Sequence, residues 1–229
     1  KDLSIDELQI LADDIRKFLI ESLSKTGGHF SSNLGSVELT IALHYVFNSP
    51  FDKFIFDVGH QVYTHKILTG RAKDFPTLRK MDGLGAFIKY DESPHDVWEA
   101  GHSSTSLSAA AGFLEAKAAG AEIGEVISII GDGSIQNGLA FEGLNYLGNK
   151  TCKGIVIIND NDMSISKNVG RLSKSFSKIR IRKSYEVFKR ITPNFIQRMF
   201  RSLKNAIRSL VYGGNVFANL GYRYYGPIN

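Results

Sequence analysis

Two short β-branched runs, each closing on a polar tip, constrain this chain most. Val126-Ile127-Ser128-Ile129-Ile130 leads into Gly131-Asp132-Gly133-Ser134. Gly154-Ile155-Val156-Ile157-Ile158 leads into Asn159-Asp160-Asn161-Asp162-Met163. Apolar runs of this length, bounded by Gly or polar residues, read as buried strands. In open α/β sheets ligands bind at the carboxyl ends of strands. Asp132 and Asn161 are hard oxygen donors suited to Mg²⁺, which takes few protein ligands and shares its shell with water and phosphate. The backbone carbonyl of Met163 could supply a third donor. Gly133 lacks a Cβ and lets the backbone come close. The amides of Gly133 and Ser134 lie just ahead of a predicted helix and can donate to phosphate oxygens. Either tip alone would pass as an ordinary turn. The two together point to a metal-diphosphate site.

The surrounding pattern predicts the layers that carry these tips. Ser4-Ile5-Asp6-Glu7 has the form of a capping box. After it Leu8, Leu11, Ile15, Phe18, Leu19 and Leu23 recur at helical spacing until Gly27-Gly28. A polar, Gly-rich loop is expected over 27–35 and a second helix over about 36–47, with His44 at the edge of its core face. Phe54-Ile55-Phe56-Asp57-Val58 reads as a third strand that ends at Gly59-His60-Gln61. Residues 61–69 look helical, with His65 and Lys66 inside, and a loop follows through Pro76, Gly83 and Gly85. Val97-Trp98 reads as a short edge element. An Ala-rich helix is expected over 107–119, its small residues permitting close packing, and another over about 138–148. Strands alternating with helices at this spacing imply an α/β fold with a doubly wound, mostly parallel sheet.

Charge separates the chain into two characters. Residues 171–208 hold twelve Lys and Arg and one acid, Glu186, a net +11 within a chain total of +5. The rest is therefore mildly acidic. We expect an α/β body over 1–170, a basic helical excursion over 171–212 and a return toward the sheet over 213–229, with the chain trimmed at its ends. No apolar run approaches the roughly 18 residues of a membrane span, and no signal-peptide pattern opens the chain. The single Cys152 cannot form an internal disulfide, which fits a reducing compartment, and no nucleophile motif surrounds it.

Other phosphate and metal sites can be weighed on the letters. G-x-x-x-x-G-K-[ST] is absent. G-x-G-x-x-G fails because Gln136 stands where the third Gly would be. His29, His60 and His102 each follow a Gly in a polar loop near a predicted element end, where active-site groups collect. Each alone reads more readily as structural. Histidine titrates near neutrality and can move protons or hydrogen-bond a charged intermediate. Zinc held by these three has no HExxH or Cys pairing behind it.

Several stretches together resemble the thiamine-diphosphate enzymes of the transketolase group and, within it, the 1-deoxy-D-xylulose-5-phosphate synthase family. They are the GDG and NDN tips, Gly28-His29-Phe30 with Leu34-Gly35 and Val37-Glu38-Leu39-Thr40, Asp57-Val58-Gly59-His60-Gln61, His65-Lys66-Ile67-Leu68-Thr69-Gly70-Arg71 and Gly101-His102-Ser103-Ser104-Thr105-Ser106. The likeness is dense over about 1–175, thins through the basic segment and returns at Gly221-Tyr222-Arg223-Tyr224-Tyr225-Gly226-Pro227. It implies a thiamine-diphosphate-binding fold and condensation of pyruvate with glyceraldehyde 3-phosphate, releasing CO₂, for isoprenoid, thiamine and pyridoxal synthesis. It implies Asp132, Asn161 and the Met163 carbonyl as Mg²⁺ ligands, and Gly133, Ser134 and Asn161 on the diphosphate. His60, Gly101, His102 and Ser103 would lie around the cofactor, and His29 and His60 near the reacting carbons. A bacterial cytoplasmic homodimer is implied, with a plastid the other compartment to consider. Two departures stand out. Ser134-Ile135-Gln136-Asn137-Gly138 replaces the family's usual small apolar residue and Thr-Ala-Gly. No counterpart is found here for the family's ring-activating glutamate or phosphate-holding arginines, so these 229 residues alone are expected to be inactive. Two other readings remain: a split transketolase-like subunit with another substrate, and a non-catalytic nucleic-acid-binding or assembly module using the basic segment.

Overall fold

The computed structural model describes residues 1–149, 153–160, 216–225 and 228. Asn161, Met163, Cys152 and the expected basic excursion over 171–212 lie outside the described residues. The chain divides into two units, Lys1–Ile165 and Ser166–Asn229.

Three parallel strands form the sheet of the first unit, in the order β1 (Lys53–Phe56), β2 (Val126–Gly131), β3 (Ile155–Asn159). Lys53 lies opposite Val126 and Phe56 opposite Ile129. Ile127 lies opposite Ile155 and Gly131 opposite Asn159. This parallel register brings all three carboxyl ends to one edge. β2, the central strand, is buried along both faces, which is why Val and Ile fill it on either side. Phe54, Phe56, Ile127 and Ile129 join a core with helix α1 (Ile5–Thr26) and α3 (Val37–Val46). Ile55 and Val126 join a second core with α5 (Ser106–Ala118). Helices on both faces of a parallel sheet make this an α/β, doubly wound fold.

α1 begins where its cap predicts. The Ser4 hydroxyl accepts from the Glu7 amide at 3.3 Å, and the Glu7 carboxylate accepts from the Ser4 amide at 2.7 Å. Ala12, Ile15, Leu19 and Leu23 form its buried stripe. The loop expected over 27–35 contains a single helical turn, α2 (Ser31–Leu34). The expected helix over 61–69 is only α4 (Tyr63–Lys66) before the backbone widens into a turn over Ile67–Arg71, broken at Gly70 (φ 91°). A 3-10 segment, Ala72–Thr77, then carries Pro76 where a plain loop was expected. α6 (Gly138–Gly148) joins β2 to β3. Gly143 is required there, since a Cβ would sit 2.8 Å from Leu107 Cβ on α5.

Val97-Trp98 is not an edge strand. Both side chains pack toward α5 and, with Tyr90, Gly112, Phe113 and Leu139, wall an apolar groove. Within the second unit, a short helix α7 (Val216–Asn219) carries Phe217, whose ring stacks on Tyr224 of the following segment at 5.9 Å. No helix among the described residues is long and apolar enough to cross a membrane.

Candidate functional site at the strand tips

At the carboxyl edge the ladder runs one residue past the regular strands. The Asp57 amide donates to Ile129 O at 2.8 Å, and the Asp132 amide donates to Asn159 O at 3.2 Å. The tips of β1, β2 and β3 are thus tied by backbone. Asp132 is half-buried at its tip. Gln136 Nε2 donates to the Asp132 carbonyl at 3.0 Å, and the Asn137 side chain accepts from Leu139 N at 3.1 Å to cap α6. The residues that depart from the resemblance thus brace the tip and start the helix. The amides of Gly133 and Ser134 open a 3-10 turn, Ser134–Gln136, rather than α6 itself.

Asp57 is the anchor that sequence reasoning missed. It is 1% exposed, and its two oxygens accept from Ser104 N at 2.9 Å and Ser106 N at 3.2 Å. Ser106 opens α5, so this carboxylate caps a helix from another element, where the dipole favours negative charge. Ser104 is held in the left-handed region (φ 74°), and its hydroxyl donates to Ser134 O at 2.7 Å. One short relay, Asp57 to Ser104 to Ser134, therefore fastens the 101–106 loop to the tips of β1 and β2. The predicted residues of that loop are less engaged. Gly101 and His102 are exposed, and His102 Nδ1–H donates to the carbonyl of Ser103 at 2.7 Å.

His29 and His60 come together. Their rings lie 6.0 Å apart at 71°. Gly28 precedes the first with φ 146°, and a Cβ there would sit 2.9 Å from both Leu23 Cδ2 and the Tyr63 hydroxyl. Val58 and Gly59, both in the left-handed region (φ 61° and 85°), turn the chain sharply ahead of the second. The His29 amide donates to the Tyr63 hydroxyl at 3.3 Å, and Phe87 packs on the His29 ring at 5.1 Å. Burial, then the positive Arg79, lowers the affinity of His29 for a proton. Burial, then His29, does the same at His60, with Asp57 opposing. Both rings are therefore biased toward neutral imidazole, able to accept or donate a proton near neutrality.

A buried ionic cluster supports this pair. Arg71 forks onto Asp96 at 2.7 and 2.8 Å and reaches Glu92 at 3.1 Å. Lys66, fully buried, donates to Glu92 and to Gly85 O. Glu92 accepts from Gly85 N at 2.7 Å. The cluster staples residues 85–96, which carry Phe87, onto α4. Burial alone would raise the Asp96 pKa, but hydrogen bonds from His65 and Arg71 and the charge of Arg71 outweigh it and hold the carboxyl ionised. An ionised Asp96 makes His65 Nε2 the donor of their 3.2 Å contact. Neutral His65 then accepts at Nδ1 from His44 Nε2, 2.9 Å away.

Burial, then neighbouring His65, lowers the His44 pKa from 6.5 to about 3. Its folded pKa lies below its unfolded one, so the unfolded chain binds more protons between these values. His44 stabilises the fold above pH 6.5, and that contribution is lost as pH falls toward 3. A His44→Gln variant, which retains a side-chain amide for His65, should show a flatter decline of stability over this window in urea titrations at stepped pH. An unchanged slope would count against this account of His44.

Among the described residues no three His, Cys, Asp or Glu side chains cluster as a metal cage, and two of the three expected Mg²⁺ donors lie outside those residues. The family model described as 1-deoxy-D-xylulose-5-phosphate synthase matches residues 1–229. The chain belongs to the 1-deoxy-D-xylulose-5-phosphate synthase family. It is 50% identical over 238 residues to a family enzyme of Macrococcus caseolyticus, which covers all of this chain and 38% of that protein. It is 52% identical over 239 residues to one of Listeria welshimeri, with coverage of 100% and 38%. It is 49% identical over 233 residues to one of Brevibacillus brevis, with coverage of 97% and 37%. The chain thus spans under two fifths of the length of these family members.

Proposed function

We propose that this chain carries the metal-diphosphate half of a thiamine-diphosphate site in an enzyme that condenses pyruvate with glyceraldehyde 3-phosphate, releasing CO₂, to give 1-deoxy-D-xylulose 5-phosphate. The observation that carries the reading is the side-by-side pairing of the β2 and β3 tips, Gly131 opposite Asn159. It sets a carboxylate at one tip beside an amide-rich tip, a hard-oxygen donor set of the kind Mg²⁺ takes.

In this reading Asp132, Asn161 and the Met163 carbonyl hold Mg²⁺, and Gly133, Ser134 and Asn161 hold the diphosphate. His60 and the Gly101-His102-Ser103 loop lie around the cofactor. When bound, thiamine diphosphate supplies a nucleophilic thiazolium carbon and an electron sink for decarboxylation. The chain's own contribution is proton handling and orientation. His29 and His60, both biased toward neutral imidazole, hold or move protons at the reacting oxygens of the substrates. Tyr63 fixes the backbone of His29, and Phe87 covers its ring and sheds water from that side. The whole enzyme works as a cytoplasmic homodimer feeding isoprenoid and thiamine synthesis, and residues 1–229 alone bind Mg²⁺-diphosphate weakly and do not turn over.

The test is turnover of pyruvate and glyceraldehyde 3-phosphate by the full-length protein, followed as CO₂ release. Strict dependence on added Mg²⁺ and thiamine diphosphate is expected. Turnover by residues 1–229 alone, or a full-length protein that decarboxylates pyruvate only with a different acceptor, would overturn the reading.

A further inference from the structure

Three chain segments meet on one buried carboxamide. Asn33, in α2, is fully buried. Its Nδ2 donates to the carbonyl of His29 at 2.6 Å and to the carbonyl of His60 at 2.8 Å. Its Oδ1 accepts from the amide of Tyr63 at 2.9 Å. Both amide hydrogens and the carbonyl oxygen are therefore used, and each goes to a different backbone position. Ser32 adds a longer bond, 3.3 Å, to the same His60 carbonyl.

We propose that Asn33 is a positioning residue that sets the spacing of His29 and His60 by holding the backbone of both at once. The two histidines are 31 positions apart in sequence and sit on separate loops. Their rings stand 6.0 Å apart with no direct hydrogen bond between them. Ring-to-ring contact alone cannot fix that distance, because His29 packs more closely on Phe87, at 5.1 Å. Asn33 grips each residue at its own carbonyl, the backbone atom nearest the side chain's pivot. It holds Tyr63 as well, whose hydroxyl accepts from the His29 amide. His29 is thus clasped at its carbonyl by Asn33 and at its amide by the ring Asn33 helps to seat.

The residue type follows from the geometry. Two carbonyls and one amide converge within about 3 Å, which calls for two donors and one acceptor on a short, rigid stem. Asn supplies that set. Aspartate would face two carbonyl oxygens with no proton to give. Leucine, of similar shape, would leave the His29 carbonyl and the Tyr63 amide without this partner and the His60 carbonyl with only the longer Ser32 bond, and in a dry site each lost partner is costly.

This inference rests on the proposed function only for the meaning of the pair, so its test has an arm that needs no turnover. Hydrogen–deuterium exchange at the imidazole C2 position, read by mass spectrometry on the full-length protein, reports the titration of each histidine separately. His29 faces Arg79, Tyr63 and His60; His60 faces His29 and Asp57. In Asn33→Leu both loops should open to water, and the midpoints of His29 and His60 should rise together toward the ordinary imidazole value. Asn33→Ser, which keeps one donor, should move them less. His65 should not move in either. In the same proteins kcat should fall roughly 10- to 100-fold for Asn33→Leu, the scale of an ångström-sized misplacement, while KM for pyruvate changes less than about threefold. Thr40→Ala, which removes a buried bond one helix away (Thr40 Oγ1 to Ser36 O, 2.7 Å), serves as the control for loss of stability alone. Unmoved midpoints in Asn33→Ser and in any folded Asn33→Leu, or equal movement in Thr40→Ala, would overturn the proposal. A parent protein without turnover would instead count against the proposed function and leave the titration result to stand for Asn33.

Discussion

Asp132→Ala in the full-length protein is expected to lower turnover by more than about 100-fold and to weaken Mg²⁺ binding in parallel. Even supporting residues around a metal typically cost 10- to 100-fold, and Asp132 is the one anionic donor of the three proposed. Its partners, an amide oxygen and a backbone carbonyl, are neutral and cannot offset the charge of Mg²⁺ alone. Two bonds at this position run through backbone atoms and survive the truncation: the Asp132 amide to Asn159 O and Gln136 Nε2 to the Asp132 carbonyl. Thermal melting of parent and variant, run beside the Mg²⁺ titration, separates lost binding from lost fold. Turnover within threefold of the parent, with unchanged Mg²⁺ affinity, would remove Asp132 from the site.

The largest loss of stability is expected from Arg71→Met. The Asp96 side chain is fully buried and Arg71 nearly so. Removing the guanidinium leaves Asp96 ionised and short of two donors, and leaves Glu92 with Lys66 as its remaining cation. Breaking a buried pair from one side typically costs about 3–5 kcal/mol. Arg71→Lys keeps the charge but loses the two-pronged contact, so it should fall between parent and Arg71→Met. Urea denaturation of residues 1–229 reads both. A cost under about 1 kcal/mol for Arg71→Met would mean that the cluster does not hold the 85–96 segment.

The sequence told most where local chemistry decides the outcome. α1 declares itself through Ser4, Glu7 and its Leu/Ile stripe, and β2 and β3 through short Val/Ile-rich runs bounded by Gly or polar residues. The strand tips were legible for the same reason: a polar residue directly after such a run must face a sheet edge. What was hidden depended on partners far away in sequence. Nothing around Asp57 says that its carboxylate will cap α5, 49 residues on, because the cap is supplied by tertiary approach. Asn33 looked like one polar letter in a Gly-rich loop, and α2 around it is too short for periodicity to mark. Residues 61–69 have a helical look in their letters, but the regular helix ends at Lys66, the backbone widens over Ile67–Arg71, and the Arg71 ion pairs hold the altered path. Val97 and Trp98 are apolar enough for a strand, yet they bury against α5 instead of pairing.

The fastening of the site is mostly a matter of main-chain atoms. His29 is held at its amide and carbonyl, His60 at its carbonyl, Ser104 and Ser106 at their amides, and Ser134 at its carbonyl. The imidazoles themselves carry little of that scaffolding. Loss of function after trimming His29 or His60 to alanine can thus be interpreted as lost chemistry rather than lost shape. The cleft is in this sense a reusable mount, whose reactive groups can be exchanged while Asn33, Asp57 and Ser104 are kept.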